Sequence, residues 1–155
     1  MIPADVFYAG LHKVVAAAAG FITDPSGRVL LVKPNYRDHW GWPGGHVDEG
    51  ESPEAACGRE VLEELGLTTD VGRLLVVQWV PPLDDRPVPL VHFLFDCGTV
   101  NDGASVVLQA EELEGYGFFT AEEAGSLMPS YLVARLLAAE SARASGTTVY
   151  LRPGG

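Results

Sequence analysis

Basic side chains are scarce in this sequence. Ten Lys and Arg stand against 21 Asp and Glu, giving a formal net charge of −11. A chain of that sign has no basic surface with which to hold a nucleic-acid polymer. Cysteine is scarcer still. Cys57 and Cys97 are far apart and form no CxxC pair, which argues against a zinc site and fits two reduced thiols in a cytosolic protein. No apolar run is long enough to span a bilayer. Val14 to Ile22 is too short and follows a stretch with a single lysine, so it reads as a buried strand rather than a leader or an anchor. The expectation is a cytoplasmic protein with no membrane partner.

What is present describes a globular chain. Of 155 residues, 47% are apolar and 20% charged, an ordinary balance for a folded domain. Residues 1–155 are expected to form one domain. Folding at this size buries roughly 70% of the unfolded chain's surface, enough for a core without disulfide or metal staples. The 18 glycines and 11 prolines are dispersed, so they mark many turns rather than one low-complexity tract.

Residues 12–23 read as a strand, closed by the turn Asp24-Pro25-Ser26-Gly27, with a second strand from Val29 to Lys33 completing a hairpin. Asn35 to Gly45 reads as a loop with a strand near Trp42. Ser52-Pro53-Glu54 is a helix start, with an N-cap serine, proline at the first helical position and an acid in the first turn. That helix ends at Gly66. Strands are expected over 70–80 and 89–98, joined by a proline-rich loop. Residues 99–114 read as loop, with Val106 to Leu108 as a strand fragment. A short strand spans Tyr116 to Phe119, and helices follow at 121–127 and 130–143. The last places Leu132, Leu136 and Leu137 on one face. Residues 144–155 are either a loosely ordered tail or, over Thr147 to Leu151, an edge strand. The order β-β-β-α-β-β-β-α implies an α/β (α+β) fold, a mixed sheet between helices.

The helix carries the chemistry. Glu60, Glu63 and Glu64 fall at i, i+3 and i+4 and share a face. Such a cluster is ordinarily a solvated surface, because like charges at this spacing repel by about 0.2–0.5 kcal/mol per pair. It becomes a site if a cation sits among the carboxylates, and hard divalent cations take oxygen ligands of this kind. Ahead of the helix lies Trp42-Pro43-Gly44-Gly45, a turn whose backbone is free to approach a metal or a phosphate.

Residues 45–67 resemble the catalytic box of the Nudix hydrolases, GX5EX7REUXEEXGU, where U is apolar. Gly45, Glu51, Arg59, Glu60, Val61, Glu63, Glu64, Gly66 and Leu67 fill every specified position without a gap. The hairpin before the box and the strands and C-terminal helix after it fit the Nudix fold over nearly the whole chain.

The resemblance implies metal-dependent hydrolysis of the diphosphate linkage in a nucleoside diphosphate joined to a moiety X. It makes Glu60, Glu63, Glu64 and the carbonyl of Gly44 ligands of Mg2+ (or Mn2+). Glu51 and Arg59 become an ion pair that fixes the loop to the helix. Bound cations also reconcile the acidic chain with a phosphate substrate. Glu60 is one candidate base. Family members also use an acid from a loop after the box, and here the matching stretch is Glu111-Glu112-Leu113-Glu114. Glu112 is favoured as a further ligand or base, with Glu111 and Glu114 read as exposed loop acids. A nucleotide-binding regulatory module without turnover is the alternative, although such modules usually carry a degraded box.

Outside the box, Lys33 and Arg37 are candidates for a terminal phosphate, against the plainer reading of surface charge. Tyr36, Trp40 and Trp79 are candidates to stack on a base. Packing is the better reading for Trp40 and Trp42. Gly45 is expected beside the substrate. His39, His46 and His92 form no catalytic pattern, and His46 at most lines the site. The expected partner is a small-molecule nucleoside diphosphate derivative, met by a monomer or a homodimer.

Overall fold

The computed structural model describes residues 1–101 and 105–153. Its elements are α1 (Ala4–Ala9), β1 (Val15–Thr23), β2 (Val29–Pro34), β3 (Gly44–His46), α2 (Pro53–Leu65), β4 (Leu74–Val80), β5 (Leu90–Thr99), β6 (Leu113–Phe119), α3 (Ala121–Gly125), α4 (Ser130–Ser145) and β7 (Val149–Leu151). A seven-stranded sheet runs β6-β2-β1-β5-β4-β7, with β3 held beside β1. The fold is thus mixed α and β, a sheet between helices.

Strand β1 is the axis of this sheet. It runs parallel to β5 along most of its length. On its other edge it serves two partners in turn. Thr23 pairs with Val29 across the β1–β2 hairpin, while Ala17, Ala18 and Ala19 pair with His46, Gly45 and Gly44 of β3. Both faces of β1 are covered, and its near-continuous apolar run is the signature of such a strand. Asp24 shapes the hairpin turn by accepting the backbone N–H groups of Ser26 and Arg28 at 3.0 and 2.9 Å.

Helices close the two faces. Ala18, Ile22, Leu30 and Phe95 pack against Val61 and Leu65 of α2. On the opposite face Phe21, Leu31, Leu75 and Leu94 pack against Leu132 and Leu136 of α4. Helix α2 begins as its sequence dictates: the Ser52 hydroxyl accepts the Ala55 N–H at 3.3 Å, and Pro53 opens the first turn. It ends at Gly66, with φ of 66°. Arg143 near the end of α4 ties that helix to the sheet, donating to Asp96 at 2.8 Å and to Thr23 Oγ1 at 2.6 Å.

Several elements depart from the sequence reading. Helix α1 had no periodic signal and buries none of its residues. The strand expected near Trp42 begins at Gly44, while Trp42 itself enters the core. Residues 106–108 form no strand. Val107 instead donates its N–H to Leu65 O, just below the end of α2, at 2.8 Å. Strand β6 starts at Leu113, because its pairing with β2 extends to Pro34. Leu137 does not join Leu132 and Leu136. It follows Leu136 by one residue, about 100° around the helix, and is exposed. The inward face is completed by Arg135, Ala139 and Ala142. Residues 149–151 form edge strand β7, parallel to β4, while residues 154 and 155 of the expected tail lie outside the described residues.

Gly44 sits where no side chain fits. A Cβ there would stand 2.3 Å from Ala18 O and 2.5 Å from Ala19 Cβ. Gly44→Ala should therefore cost about 1–3 kcal/mol or more by urea unfolding. Gly125→Ala, in α3 with open space around it, should be neutral or slightly stabilising in the same assay.

Candidate active site

The loop from Gly44 to Ser52 lies against α2, and Arg59 holds the two together. Its Nε donates to Glu51 Oε2 at 2.7 Å and its Nη2 to Glu51 Oε1 at 2.8 Å. This is the fork geometry that makes arginine–carboxylate pairs strong and directional. The same guanidinium reaches His46 O at 3.3 Å and Asp48 Oδ2 at 3.3 Å. Glu51 also accepts the Asp48 N–H at 2.8 Å. Held first by Arg59 and then by that N–H, the Glu51 carboxyl is lowered to about 2. The Arg59 guanidinium is correspondingly pushed up, chiefly by Glu51. Asp48 was not singled out by sequence. Its only signal was its place inside the loop that Arg59 must clamp.

Arg59 extends this grip to the carboxylate face of α2. Its Nη1 donates to Glu60 Oε1 at 2.9 Å and to Glu63 Oε2 at 3.2 Å. Glu63 is the most exposed of the three acids. Glu64 points inward, is buried, and accepts the Gly44 N–H at 3.2 Å. Gly45 faces Glu60 so closely that a Cβ would stand 2.7 Å from Glu60 Oε1. The Gly44–Gly45 strand and α2 therefore form a narrow slot with carboxyl oxygens on one wall. Gly44 meets this slot through its N–H, a contact not visible in the box pattern.

Burial raises the Glu64 carboxyl to about 8, with Glu60, Glu112 and Glu63 adding repulsion against the help of the Gly44 N–H. Burial also raises Glu60, although Arg59 opposes it, and Glu63 and Glu112 again push upward. Of the acids in the later loop, Glu112 is the one whose charge reaches the box carboxylates. Glu114 instead faces Lys33 at 3.6 Å, and the backbone carbonyl of Glu111 accepts from Asn35 at 2.8 Å.

Among the described residues, no three acids, histidines or cysteines converge into a ready ligand cluster. Glu60 and Glu63 turn to Arg59 instead. The donor set still suits a hard divalent cation. It is all oxygen, partly desolvated, and short of positive charge at Glu64.

The other sequence candidates lie elsewhere. Lys33 donates to Pro34 O at 2.8 Å and also to Arg37 O, so it braces the loop after β2. Arg37 is exposed and stacks on Tyr36, 5.3 Å from the ring centre. Trp40 packs edge-on against Phe119. Trp79 stands on β4 and lines a cavity of about 280 Å³ with Gln78 and Tyr131. That is two strands from β1, away from the α2 acids.

An acidic loop–helix clamped by arginine thus lies on a mixed sheet between helices. Residues 13–139 match the NUDIX domain family, and the chain belongs to it. Members of this family act as pyrophosphohydrolases on nucleoside diphosphate derivatives. A putative 8-oxo-dGTP diphosphatase of Bacillus subtilis is 34% identical over 85 residues, covering 55% of this chain and 53% of that protein. The chain thus spans about half the length of that curated relative. Two solved structures share the fold. A MutT protein from Methanosarcina mazei has a TM-score of 0.73 at 24% identity, covering 85% of this chain and 96% of its own. A UDP-X diphosphatase has a TM-score of 0.73 at 17% identity, covering 97% and 76%.

The elevated Glu64 carboxyl makes stability depend on pH. The folded protein holds this proton above the usual carboxyl range, so the stabilisation is complete at acid pH. It is lost as pH rises toward about 8, with a slope of at most about 1.4 kcal/mol per unit. In excess EDTA, the melting temperature should fall between pH 5 and 8. Glu64→Gln, which keeps an acceptor for the Gly44 N–H, should flatten that fall.

Proposed function

We propose that this chain is a divalent-metal-dependent pyrophosphohydrolase that cleaves the diphosphate linkage of a nucleoside diphosphate derivative. One observation carries the reading: Glu60, Glu63 and Glu64 share a face of α2, and Glu60 and Glu64 are pressed against the Gly44–Gly45 slot with carboxyls raised by burial. Carboxyls in that condition gain from a cation that offsets their burial and mutual repulsion.

Glu60, Glu63 and Glu64, with the Gly44 carbonyl and Glu112, are the residues that would hold Mg2+ or Mn2+. Such an ion supplies Lewis-acid charge against the diphosphate. Glu51 and Arg59 fix the loop against α2, so the slot keeps its width as substrate enters. Gly45 gives the substrate close access to the backbone. Glu60 and Glu112 are the two acids suited to take the proton of the attacking water. The upward shift of Glu60 moves it toward the working pH, as a general base requires. The charge of Glu112 reaches the same place.

The relatives named above differ in the molecule they cleave, so the box sets the reaction and residues outside it set the substrate. Arg37 and Trp79 are the substrate contacts of this reading, and Lys33 supports the loop that carries Arg37. Residues 1–155 act as one domain on small molecules in the cytoplasm, as a monomer or a homodimer. The net charge of −11 keeps nucleic-acid polymers out.

Release of phosphate or nucleoside monophosphate from a panel of nucleoside diphosphate derivatives tests this. Turnover should require Mg2+ or Mn2+ and stop in excess chelator. Glu63→Gln should lose at least about 100-fold in kcat, the scale of removing a key electrostatic group. Equal activity in both proteins, or turnover in chelator, would overturn the assignment.

A further inference from the structure

On the face of the sheet opposite the α2 acids lies a second polar cluster, built around a buried arginine. Arg135 on α4 is 5% exposed. Its Nε donates to Gln78 Oε1 at 2.7 Å, and its guanidinium carbon lies 5.5 Å from the centre of the Trp42 ring. Gln78 spends its amide on Tyr131 O at 3.2 Å. Beside Gln78 in the sheet stands His92 of β5, 8% exposed, whose Nδ1 has no hydrogen-bond partner. The indole N–H of Trp42 is also buried without a partner. Exposed Arg37 adds repulsion to both His92 and Arg135.

Among the described residues, no carboxylate offsets this charge. Burial first, and then the neighbouring cation Arg37, lower Arg135 to about 9 against the help of Tyr131. It therefore keeps its charge at neutral pH. Burial, Arg135 and Arg37 hold His92 well below its ordinary range, so it is neutral. Elsewhere in the chain, Arg59 and Arg143 are paired with acids. A buried cation with no anion, next to two unsatisfied polar nitrogens, is costly to keep. In a chain with 21 acids, the missing counter-charge is conspicuous.

A cavity adjoins the cluster through its polar frame, although Arg135, His92 and Trp42 do not themselves line it. Gln78 and Tyr131, its polar frame, also line the cavity of about 280 Å³ whose other walls include Trp79 and Leu83. In the sheet, Gln78, His92, Ala17 and His46 stand side by side across four strands. That row ends at exposed His46, one residue from Gly45. That row links the cluster to β3, whose Gly45 faces Glu60.

We propose that Arg135, with Arg37, His92 and the Trp42 indole, binds an anionic group of the substrate, phosphate in type, remote from the diphosphate linkage that is cleaved. The proposal rests on the hydrolase reading and adds the class of X: a moiety with its own negative charge. Arg135 is then a specificity-determining residue. The sequence signal, visible only in retrospect, is an arginine set between Leu132 and Leu136 on the buried stripe of α4.

Inorganic phosphate is the probe. In excess EDTA, phosphate should raise the melting temperature of the wild-type protein in a saturable way. Arg135→Met should abolish the rise, and Arg37→Ala should reduce it. No rise in the wild type, or an equal rise in Arg135→Met, overturns the site. If Arg135→Met does not fold, an undiminished rise in Arg37→Ala overturns it. The second measurement is turnover on substrates that differ by one phosphate away from the linkage. The wild type should favour the more anionic member, and Arg135→Met should lower that ratio of kcat/KM by at least about tenfold. A phosphate shift with no such preference means that the site takes free anions, and overturns the substrate assignment. A phosphate shift with no turnover on any substrate sinks the hydrolase reading and leaves the anion site standing.

Discussion

The guanidinium of Arg59 joins groups that would otherwise separate. One edge grips Glu51 through two short hydrogen bonds, and the other reaches Glu60 and Glu63 on the next turns of α2. Three like charges on one helix face repel one another, and in the loop that precedes the helix Val47 is the one apolar side chain packed against the core. Arg59 answers both problems at once. It offsets the repulsion and fixes the loop, and through the loop it fixes where Gly44 and Gly45 lie relative to Glu60 and Glu64. The slot width, the Gly44 N–H contact and the burial of Glu64 all follow from that clamp. Lysine, a point charge without a planar fork, could not hold Glu51 and Glu60 in the same way.

Around this clamp the molecule separates its charges by sheet face. Acids gather on the α2 side, where burial and mutual repulsion raise Glu60 and Glu64. On the α4 side Arg135 is buried and, among the described residues, has no acid partner. The sheet is a single layer between them, and β3 is the strand at which the two sides meet. A net charge counted over the whole chain hides this arrangement. The protein is acidic in sum, yet it buries a guanidinium on the face of the sheet opposite the α2 carboxylates.

Legibility in the sequence followed the range of the interactions. The box was readable because its contacts are local: Ser52 caps its own helix, Glu51 and Arg59 lie within one loop and helix, and the three acids follow helical spacing. The hairpin and α4 were readable for the same reason. The sheet order was not, because the parallel pairing of β1 with β5 depends on residues far apart in the chain. Helix α1 has no apolar periodicity to reveal it, and Leu137 was misplaced because a run of leucines does not say which of them faces inward. Arg135 escaped notice because its meaning comes from Gln78, His92 and Trp42, none of which is near it in sequence.

The division of β1 between its partners also bears on how the protein is built in time. Its contacts with β2 and β3, and the clamp between loop and α2, all lie within the first 65 residues. They close short loops, which cost little chain entropy. The row from His46 to Gln78 closes only when β5 and β4 arrive, and Arg135 only when α4 docks. Non-local parallel pairing of that kind is slow. The acidic half of the site therefore belongs to the early, local part of folding. The cationic half is completed last, with the pairing of β5 on β1 as the step that joins them.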